Sequence, residues 1–212
     1  MERETEAFWK GEFGNSYTVR NHQADITGTI KFFSNILGGR TLEQLEAIQT
    51  ILEVGANIGT NLAALHHLLP WSATSGVELN AEACRGLLQN ADNVHNGSFL
   101  DYPLPGPYDL VLSKGVLIHI APEDLRRAYQ VIYEASQRWI LIAEYYSPTP
   151  VEKDYRGHRG KLWKRDFAGE LMDLYPDLKL VDYGFAYHRD PHPQDDITWF
   201  LLLKSDPQSA AA

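Results

Sequence analysis

A glycine turn and the acidic residue that follows it are the features of this sequence whose types and spacing best define a chemistry. The apolar stretch Ile51–Val54 runs into Gly55 and Gly59, and the next residues have the pattern of a helix. Glu78 ends a second apolar stretch, twenty-three residues after Gly55. This order is that of a nucleoside-binding βαβ unit, in which the acid accepts hydrogen bonds from ribose hydroxyls.

The side chains of the turn indicate which nucleoside it binds. A dinucleotide site requires a second glycine where this chain has Asn57, because the backbone there must approach a pyrophosphate. Glu53 precedes the turn, and its carboxylate would repel a pyrophosphate but attract a cationic ligand. S-adenosylmethionine carries a sulfonium and an ammonium and no phosphate, so the turn favours it as the cofactor. An NAD-linked oxidoreductase is the disfavoured alternative function. The structural alternative is that this is a glycine turn of some other α/β protein without a nucleoside site.

At this point the chain resembles the class I S-adenosylmethionine-dependent methyltransferases, in which E-x-G-x-x-x-G closes the first strand and an acid closes the second. The resemblance implies a Rossmann-like α/β fold with a seven-stranded, mostly parallel sheet that ends in an antiparallel hairpin, helices on both faces and an N-terminal helical lid. It also implies that Ser98 and Phe99 meet the adenine. The predicted cofactor-binding residues are Tyr17, Arg20, Asn21, Glu53, Gly55, Asn57, Gly59, Asn61, Glu78, Leu79, Ser98, Phe99, Ser113 and Lys114.

The first fifty residues have a helical pattern that is rich in aromatic and polar side chains. If this segment folds over the cofactor, as the resemblance implies, Tyr17 can cover the methionine part. Arg20 or Asn21 can then bind its carboxylate, the arginine with bidentate geometry. The alternative is that these aromatic residues only pack an N-terminal helix on the sheet.

Three side chains at the end of the predicted strand Asp109–Ser113 are expected to border the reaction site. Ser113 ends this strand, and Lys114 and His119 follow it. Ligands of open α/β sheets bind beyond the carboxyl ends of the strands. For a hydroxyl or amine acceptor, His119, His158 or Tyr145 could take the proton, because the pKa of histidine suits that role near neutral pH. The spacing does not distinguish among these three residues. The alternative for His119 is a structural role as a buried histidine of the apolar core.

A basic segment follows the predicted strand Trp139–Glu144. Its cationic side chains are Lys153, Arg156, His158, Arg159, Lys161, Lys164 and Arg165. A solvated face is the usual explanation for such a run. Because aromatic residues interrupt the run and an acceptor would lie beside it, we expect it to bind a small anionic acceptor, such as a sugar acid, a nucleotide sugar or a carboxylate. The predicted acceptor-binding residues are Tyr146, Tyr155, Arg156, Lys164 and Arg165.

Longer motifs extend along nearly the whole chain. They are Phe13–Asn21, Lys114–Ile120, Glu144–Pro150, Tyr155–His158, Lys164–Ala168 and Asp195–Trp199. Together they resemble the pseudaminic acid biosynthesis-associated methylases, which implies a polar, sugar-like acceptor. The chain departs from this family at Asn15, where an aspartate is common, and in its alanine-rich tail.

The elements that must position these residues alternate between short apolar strands and amphipathic helices. The predicted strands are Ile51–Val54, Ala73–Glu78, Asp109–Ser113 and Trp139–Glu144, and a parallel doubly wound sheet follows from their alternation with helices. Leu178–Phe185 and Ile197–Leu203 are joined by a polar loop, which suits an antiparallel hairpin. We therefore divide the chain into an N-terminal helical lid segment (1–50), an S-adenosylmethionine-binding methyltransferase core (51–204) and a flexible tail (205–212).

The composition narrows the class of partner. The 212 residues suit one domain, and a net charge of -9 disfavours nucleic acid as a partner. No apolar run could span a membrane and the acidic start is unlike a signal peptide, so a cytoplasmic location is expected. The single cysteine, Cys84, excludes an intramolecular disulfide. No metal is expected, although Asp195 and Asp196 beside His192 could hold a divalent ion.

These observations predict a metal-free methyltransferase that acts on O or N of a small anionic acceptor. A regulatory protein that binds S-adenosylmethionine without turnover is the alternative from a different class. The oligomeric state is not predicted.

Overall fold

The computed structural model describes residues 3–21, 26–101 and 104–205. The helices are Glu4–Lys10 (α1), Glu12–Asn21 (α2), Ile26–Leu37 (α3), Leu42–Glu46 (α4), Thr60–Leu68 (α5), Ala81–Leu87 (α6), Leu125–Ala135 (α7) and Phe167–Leu174 (α8). The strands are Thr50–Val54 (β1), Ala73–Glu78 (β2), Asn93–Asn96 (β3), Tyr108–Lys114 (β4), Ser136–Glu144 (β5), Val151–Tyr155 (β6), His158–Lys164 (β7), Leu178–Ala186 (β8) and Ile197–Lys204 (β9).

Seven strands form one sheet in the order β3-β2-β1-β4-β5-β9-β8. The first five strands of this order are parallel, and β9 runs antiparallel to both β5 and β8. The predicted parallel sheet and its closing antiparallel hairpin are therefore confirmed. Val54 pairs with Val77 on one side and with Ser113 on the other, so the carboxyl ends of β1, β2 and β4 lie side by side.

Helices cover both faces of the sheet. Leu52 and Val111 face one apolar core, which includes side chains of α7 and α8, whereas Ile51 and Leu112 face a second core with side chains of α3 and α5. This alternation is the period of two that a strand buried on both faces requires.

The N-terminal helices divide between the core and the ends of the strands. Helix α3 packs on α5 and buries Phe32 and Phe33 in the second core. Helix α1 is attached elsewhere, since Arg3 makes two hydrogen bonds of 2.7 and 2.9 Å to Asp101 and one of 3.1 Å to Asp124. This attachment holds α1 near the loop that follows β3.

The basic segment forms a hairpin of β6 and β7, which the sequence did not predict. Arg156 and Gly157 connect the two strands with φ angles of 51° and 84°, as in the two-residue turn of a twisted hairpin. Most side chains of β6 are exposed, so the strand lacks the apolar pattern that marks a buried one. Of the predicted tail, only Ser205 lies within the described residues. No helix in the described ranges has the length and apolar character needed to cross a membrane.

Candidate functional site

The turn between β1 and α5 has three residues in the left-handed region, Gly55, Asn57 and Gly59, with φ angles of 66°, 49° and 83°. A side chain at Gly55 would come within 2.6 Å of Val116, and one at Gly59 within 2.7 Å of Leu87. The glycines are therefore required for close packing of neighbouring segments. Asparagine tolerates the left-handed conformation better than other residues that carry a side chain.

Glu53 lies beneath this turn and is only 1% exposed. Its Oε1 accepts a 2.6 Å hydrogen bond from Nδ2 of Asn61, and its Oε2 has no partner among the described residues. Burial raises the pKa of Glu53 to about 8, which the Asn61 hydrogen bond and the Lys114 charge oppose. Oδ1 of Asn57 is likewise buried without a described partner. Two buried oxygens below the turn are thus left without a hydrogen-bond partner among the described residues.

Glu78 ends β2 and joins the glycine turn to α6. Its Oε2 accepts a hydrogen bond from the backbone N–H of Asn57 and its Oε1 one from Asn80, both 2.7 Å. Burial raises the pKa of Glu78, while the backbone donors of Asn80 and Asn57 oppose the shift. The backbone N–H of Leu79 is a third donor to this carboxylate, which keeps acceptor capacity for a ligand.

These groups border a cavity of about 250 Å³ at the carboxyl ends of β1, β2 and β4. Ten of the predicted site residues contribute to its wall: Tyr17, Gly55, Asn57, Asn61, Glu78, Leu79, Ser98, Phe99, Lys114 and His119. Glu53, Gly59 and Ser113 lie behind the wall rather than in it. The predicted strand ends and loops therefore come together around one space.

Helices α1 and α2 form the side of the cavity that faces away from the sheet. Trp9, Tyr17 and Thr18 lie in its wall, with the rings of Trp9 and Tyr17 edge to face at 5.2 Å. Nε1 of Trp9 is buried and has no partner in the described part of the chain. Arg20 is exposed and lies outside the wall, with its guanidinium 5.7 Å from the Tyr17 ring. The side chain of Asn21 lies outside the described residues.

The loop after β4 is held by Glu144, which sequence reasoning did not select. Oε1 of Glu144 accepts hydrogen bonds from Oγ of Ser113 at 2.8 Å and from the backbone N–H groups of Val116 and Leu117 at 3.0 Å. This buried carboxylate fixes the turn from Lys114 to His119. The local signal available in the sequence was an acid at the end of an otherwise apolar strand.

Lys114 lies in the wall, where burial lowers its pKa and the Glu53 carboxylate opposes that shift. Its ammonium stands 5.4 Å from the ring centre of Phe32. A cationic side chain therefore shares this end of the cavity with the two acceptor oxygens below the turn.

His119 is buried between two aromatic rings, Trp9 at 4.6 Å and Tyr155 at 4.8 Å. Its Nδ1 donates to the carbonyl oxygen of Lys161 at 2.6 Å, since a carbonyl can only accept. Burial lowers the pKa of His119 to about 4. The imidazole is therefore neutral at physiological pH, with its proton on Nδ1 and a lone pair on Nε2.

The other predicted bases lie outside the cavity wall. His158 is exposed and packs against Phe8 and Phe13 at 5.0 and 5.5 Å. Tyr145 is half-buried, and burial raises its pKa. Of the three candidates, only His119 contributes to the wall.

None of the predicted acceptor-binding residues contributes to the cavity wall. Arg165 forms an ion pair with Glu170 at 2.8 Å, and the ammonium of Lys164 lies 5.0 Å from the ring centre of Tyr145. Tyr146 is exposed. Tyr155 and Arg156 lie at the turn of the hairpin, and Tyr155 connects this turn to the cavity through its contact with His119.

The loop considered above as a metal site contains a histidine and acid pair. Nδ1 of His188 lies 2.8 Å from Oδ1 of Asp196. Within the described ranges, no group of three or more His, Cys, Asp and Glu side chains is placed to hold a metal ion. The suggested site at Asp195, Asp196 and His192 gains no support from this arrangement.

Comparison of the sequence with family models and with curated proteins found no match. Solved structures match along nearly its whole length. The magnesium protoporphyrin IX methyltransferase of Synechocystis PCC 6803, with bound SAM, has a TM-score of 0.65 and 10% identity over 96% of this chain and 99% of that one.

Two further solved structures are similar to the same extent. The 1,6-didemethyltoxoflavin-N1-methyltransferase of Burkholderia thailandensis gives a TM-score of 0.67 at 15% identity, over 95% of this chain and 87% of that one. A sugar N-methyltransferase of Streptoalloteichus sp ATCC 53650 gives 0.63 at 15% identity, over 91% and 93%. Together with the strand order, these similarities show that the chain has the Rossmann-like fold of class I methyltransferases.

Proposed function

We propose that this protein is a methyltransferase that uses S-adenosylmethionine to methylate O or N of a small polar acceptor. The observation that carries the proposal is the pair of buried oxygens at the glycine turn, Oδ1 of Asn57 in the cavity wall and Oε2 of Glu53 behind it, which lack hydrogen-bond partners among the described residues. Buried polar groups are almost always hydrogen-bonded, so a ligand with donors fits this place. An ammonium supplies such donors, whereas a pyrophosphate supplies none.

The residues of the cavity suit each part of the cofactor. Glu78 is placed to accept hydrogen bonds from ribose hydroxyls with its remaining lone pairs. The faces of Trp9 and Tyr17 favour a nearby cation, and Lys114 favours a carboxylate. When bound, S-adenosylmethionine supplies an electrophilic methyl group on its sulfonium.

The contribution of the chain to the reaction is alignment, exclusion of water and removal of a proton. Helices α1 and α2 cover the cavity with aromatic side chains, which limits competition from water. His119 presents neutral Nε2 while Lys161 fixes the opposite nitrogen. Nε2 can therefore accept the proton of a hydroxyl or amine as it attacks the methyl group, acting as a weak base because burial lowers the pKa of His119 to about 4. His158 and Tyr145 are the less favoured bases, because neither lies in the wall.

The acceptor is proposed to be anionic and to approach along the turn of the β6–β7 hairpin. Arg156 lies at this turn, and its charge and that of Arg20 act on the Tyr155 hydroxyl. Arg156 has no acidic partner within 4 Å among the described residues, and it hydrogen-bonds the side chain of Tyr155. Its remaining N–H donors can meet a carboxylate or phosphate. One structure of this fold is that of a sugar N-methyltransferase, which is compatible with a sugar-like acceptor. Assignment to the pseudaminic acid-associated methylases stays a prediction.

Calorimetry with S-adenosylmethionine, S-adenosylhomocysteine and NAD tests the cofactor. We expect the first two to bind and NAD not to bind, because the side chain of Asn57 stands where a dinucleotide site needs a glycine. Binding of NAD alone would refute the proposal. Methyl transfer to a panel of sugar acids and nucleotide sugars then tests turnover, and bound cofactor without transfer to any acceptor would favour the regulatory alternative.

The variant Asn57→Gly tests the observation that carries the proposal. The backbone φ of 49° suits glycine, so the substitution removes the amide oxygen without strain. Loss of one hydrogen bond of about 1 kcal/mol should weaken S-adenosylmethionine binding roughly 5-fold. Unchanged affinity, in a variant with an unchanged melting temperature, would show that this oxygen does not meet the ligand.

A further inference from the structure

Glu6 of helix α1 is a buried carboxylate in the cavity wall that the proposed reaction does not use. It is 8% exposed and lies in the wall. Its Oε1 accepts hydrogen bonds from Oγ of Ser98 and from Nη1 of Arg3, the latter at 3.2 Å. The hydrogen bonds of Glu6 to described residues both end on Oε1, and none of them involves Oε2. A strong acceptor is therefore available to whatever fills this part of the cavity.

Burial of this carboxylate is costly without a donor for its second oxygen. Attachment of α1 does not require Glu6, because Arg3 already forms two shorter hydrogen bonds with Asp101 and one with Asp124. The weak 3.2 Å contact adds little to those bonds. A hydrogen bond from a ligand to Oε2 would offset the free energy of burying this carboxylate. Glu6 would then bind the ligand in addition to contacting Arg3 and Ser98.

The position of Ser98 indicates which part of the ligand Glu6 meets. The loop of Gly97 and Ser98 is tied to the end of β2, since the backbone N–H of Gly97 donates to the Glu78 carbonyl at 2.9 Å. Leu79 and Phe99 add apolar wall beside it. With ribose hydroxyls on Glu78 and an amino acid part toward Asn57, a nucleoside would direct its base to this loop.

We propose that Glu6 accepts a hydrogen bond from the exocyclic amine of adenine, so that a helix outside the sheet recognises the base. This inference rests on the proposed function. A carboxylate can only accept, and the amine at position 6 of adenine can only donate. Hypoxanthine carries a carbonyl oxygen at that position, which Glu6 would repel. The carboxylate therefore selects adenosine over inosine and couples recognition of the base to the placement of α1.

Calorimetry with S-adenosylhomocysteine and its deaminated analogue S-inosylhomocysteine tests this inference without turnover. The wild-type protein should bind the adenosyl form roughly 10- to 100-fold more tightly, the range expected for a hydrogen bond to a charged acceptor. Glu6→Gln should remove most of this preference, because the amide can rotate to donate to the carbonyl oxygen. Glu4→Gln is the matched control on the same helix, since Glu4 is exposed and pairs with Lys161, and it should keep the preference.

The outcomes separate the inference from the proposed function. Equal affinity of the wild-type protein for both ligands would overturn the role of Glu6 whether or not the variant folds. A preference that survives in Glu6→Gln, or an equal loss of affinity for both ligands, would also overturn it and leave the cofactor assignment intact. Absence of binding by S-adenosylhomocysteine to the wild-type protein would overturn both.

Discussion

The neutral, buried His119 gives the protein a stability that depends on pH in a predictable way. In His119→Asn the side-chain amide can occupy the place of Nδ1 and keep the hydrogen bond to the Lys161 carbonyl, which is 2.6 Å long in the wild-type protein. The variant loses Nε2 and the ability to titrate near neutral pH. It therefore separates the proton equilibrium of the ring from its structural hydrogen bond.

The magnitude follows from the two pKa values of this ring. Burial lowers the pKa of His119 from 6.5 to about 4 in the folded protein. Between these values the unfolded chain binds more protons than the folded one, so the free energy of unfolding falls as the pH falls. With 1.36 kcal/mol for each pKa unit, the loss between pH 7 and pH 5 amounts to about 2 kcal/mol.

Urea unfolding at pH 7, 6 and 5 measures this difference. The free energy of unfolding of the wild-type protein should fall by about 2 kcal/mol more than that of His119→Asn over this range. Other titrating groups are shared by the two proteins and cancel in the comparison. His158→Asn is the control, because His158 is exposed and the variant should follow the wild-type protein. Parallel pH dependence in wild type and His119→Asn would refute a buried, neutral ring.

Two further substitutions test the ends of the cavity. Glu78→Ala should weaken cofactor binding by about 1.5 to 3 kcal/mol in calorimetry, because it removes hydrogen bonds to a charged acceptor. It should also lower the melting temperature, since the N–H groups of Asn57 and Asn80 lose their partner. Affinity equal to that of the wild-type protein would show that the acid does not meet the ribose. Arg156→Ala should raise KM for the acceptor and leave cofactor affinity almost unchanged, whereas Arg159→Ala on the same hairpin should change neither. An equal loss of both affinities in Arg156→Ala would assign the hairpin a structural role.

The local sequence pattern was sufficient to predict the strands of the sheet, because a strand that is buried on both faces is a continuous apolar run. Ile51–Val54 and Trp139–Glu144 are apolar runs that the structure places in the interior of the sheet. The β6–β7 hairpin left no such signal. Its first strand, Val151–Tyr155, is mostly exposed and carries charge, so its pattern could not be distinguished from that of a solvated loop.

Residues of the candidate site could be predicted from the sequence where they lie close together in the chain. They could not be predicted where only the fold brings them into contact. Gly55 and Glu78 were found because the turn and the acid belong to one βαβ unit. Glu6 meets Ser98 across 92 residues, and Glu144 meets Val116 across 28. No spacing rule connects residues so far apart, since the fold alone brings them into contact.

If helices α1 and α2 form the predicted lid, they must both exclude water from the cavity and let a ligand enter and leave. These two requirements favour different kinds of contact. A cover that excludes water must pack tightly, and the rings of Trp9 and Tyr17 do so against the cavity. A ligand that lies beneath the cover can enter and leave only if the cover detaches without unfolding of the core. The polar attachments of α1 suit this, because Glu4 is 90% exposed and Asp101 63%, and solvent screens exposed ion pairs. Aromatic packing inside and ion pairs at the rim are the contacts expected of the predicted N-terminal lid, which stays a prediction.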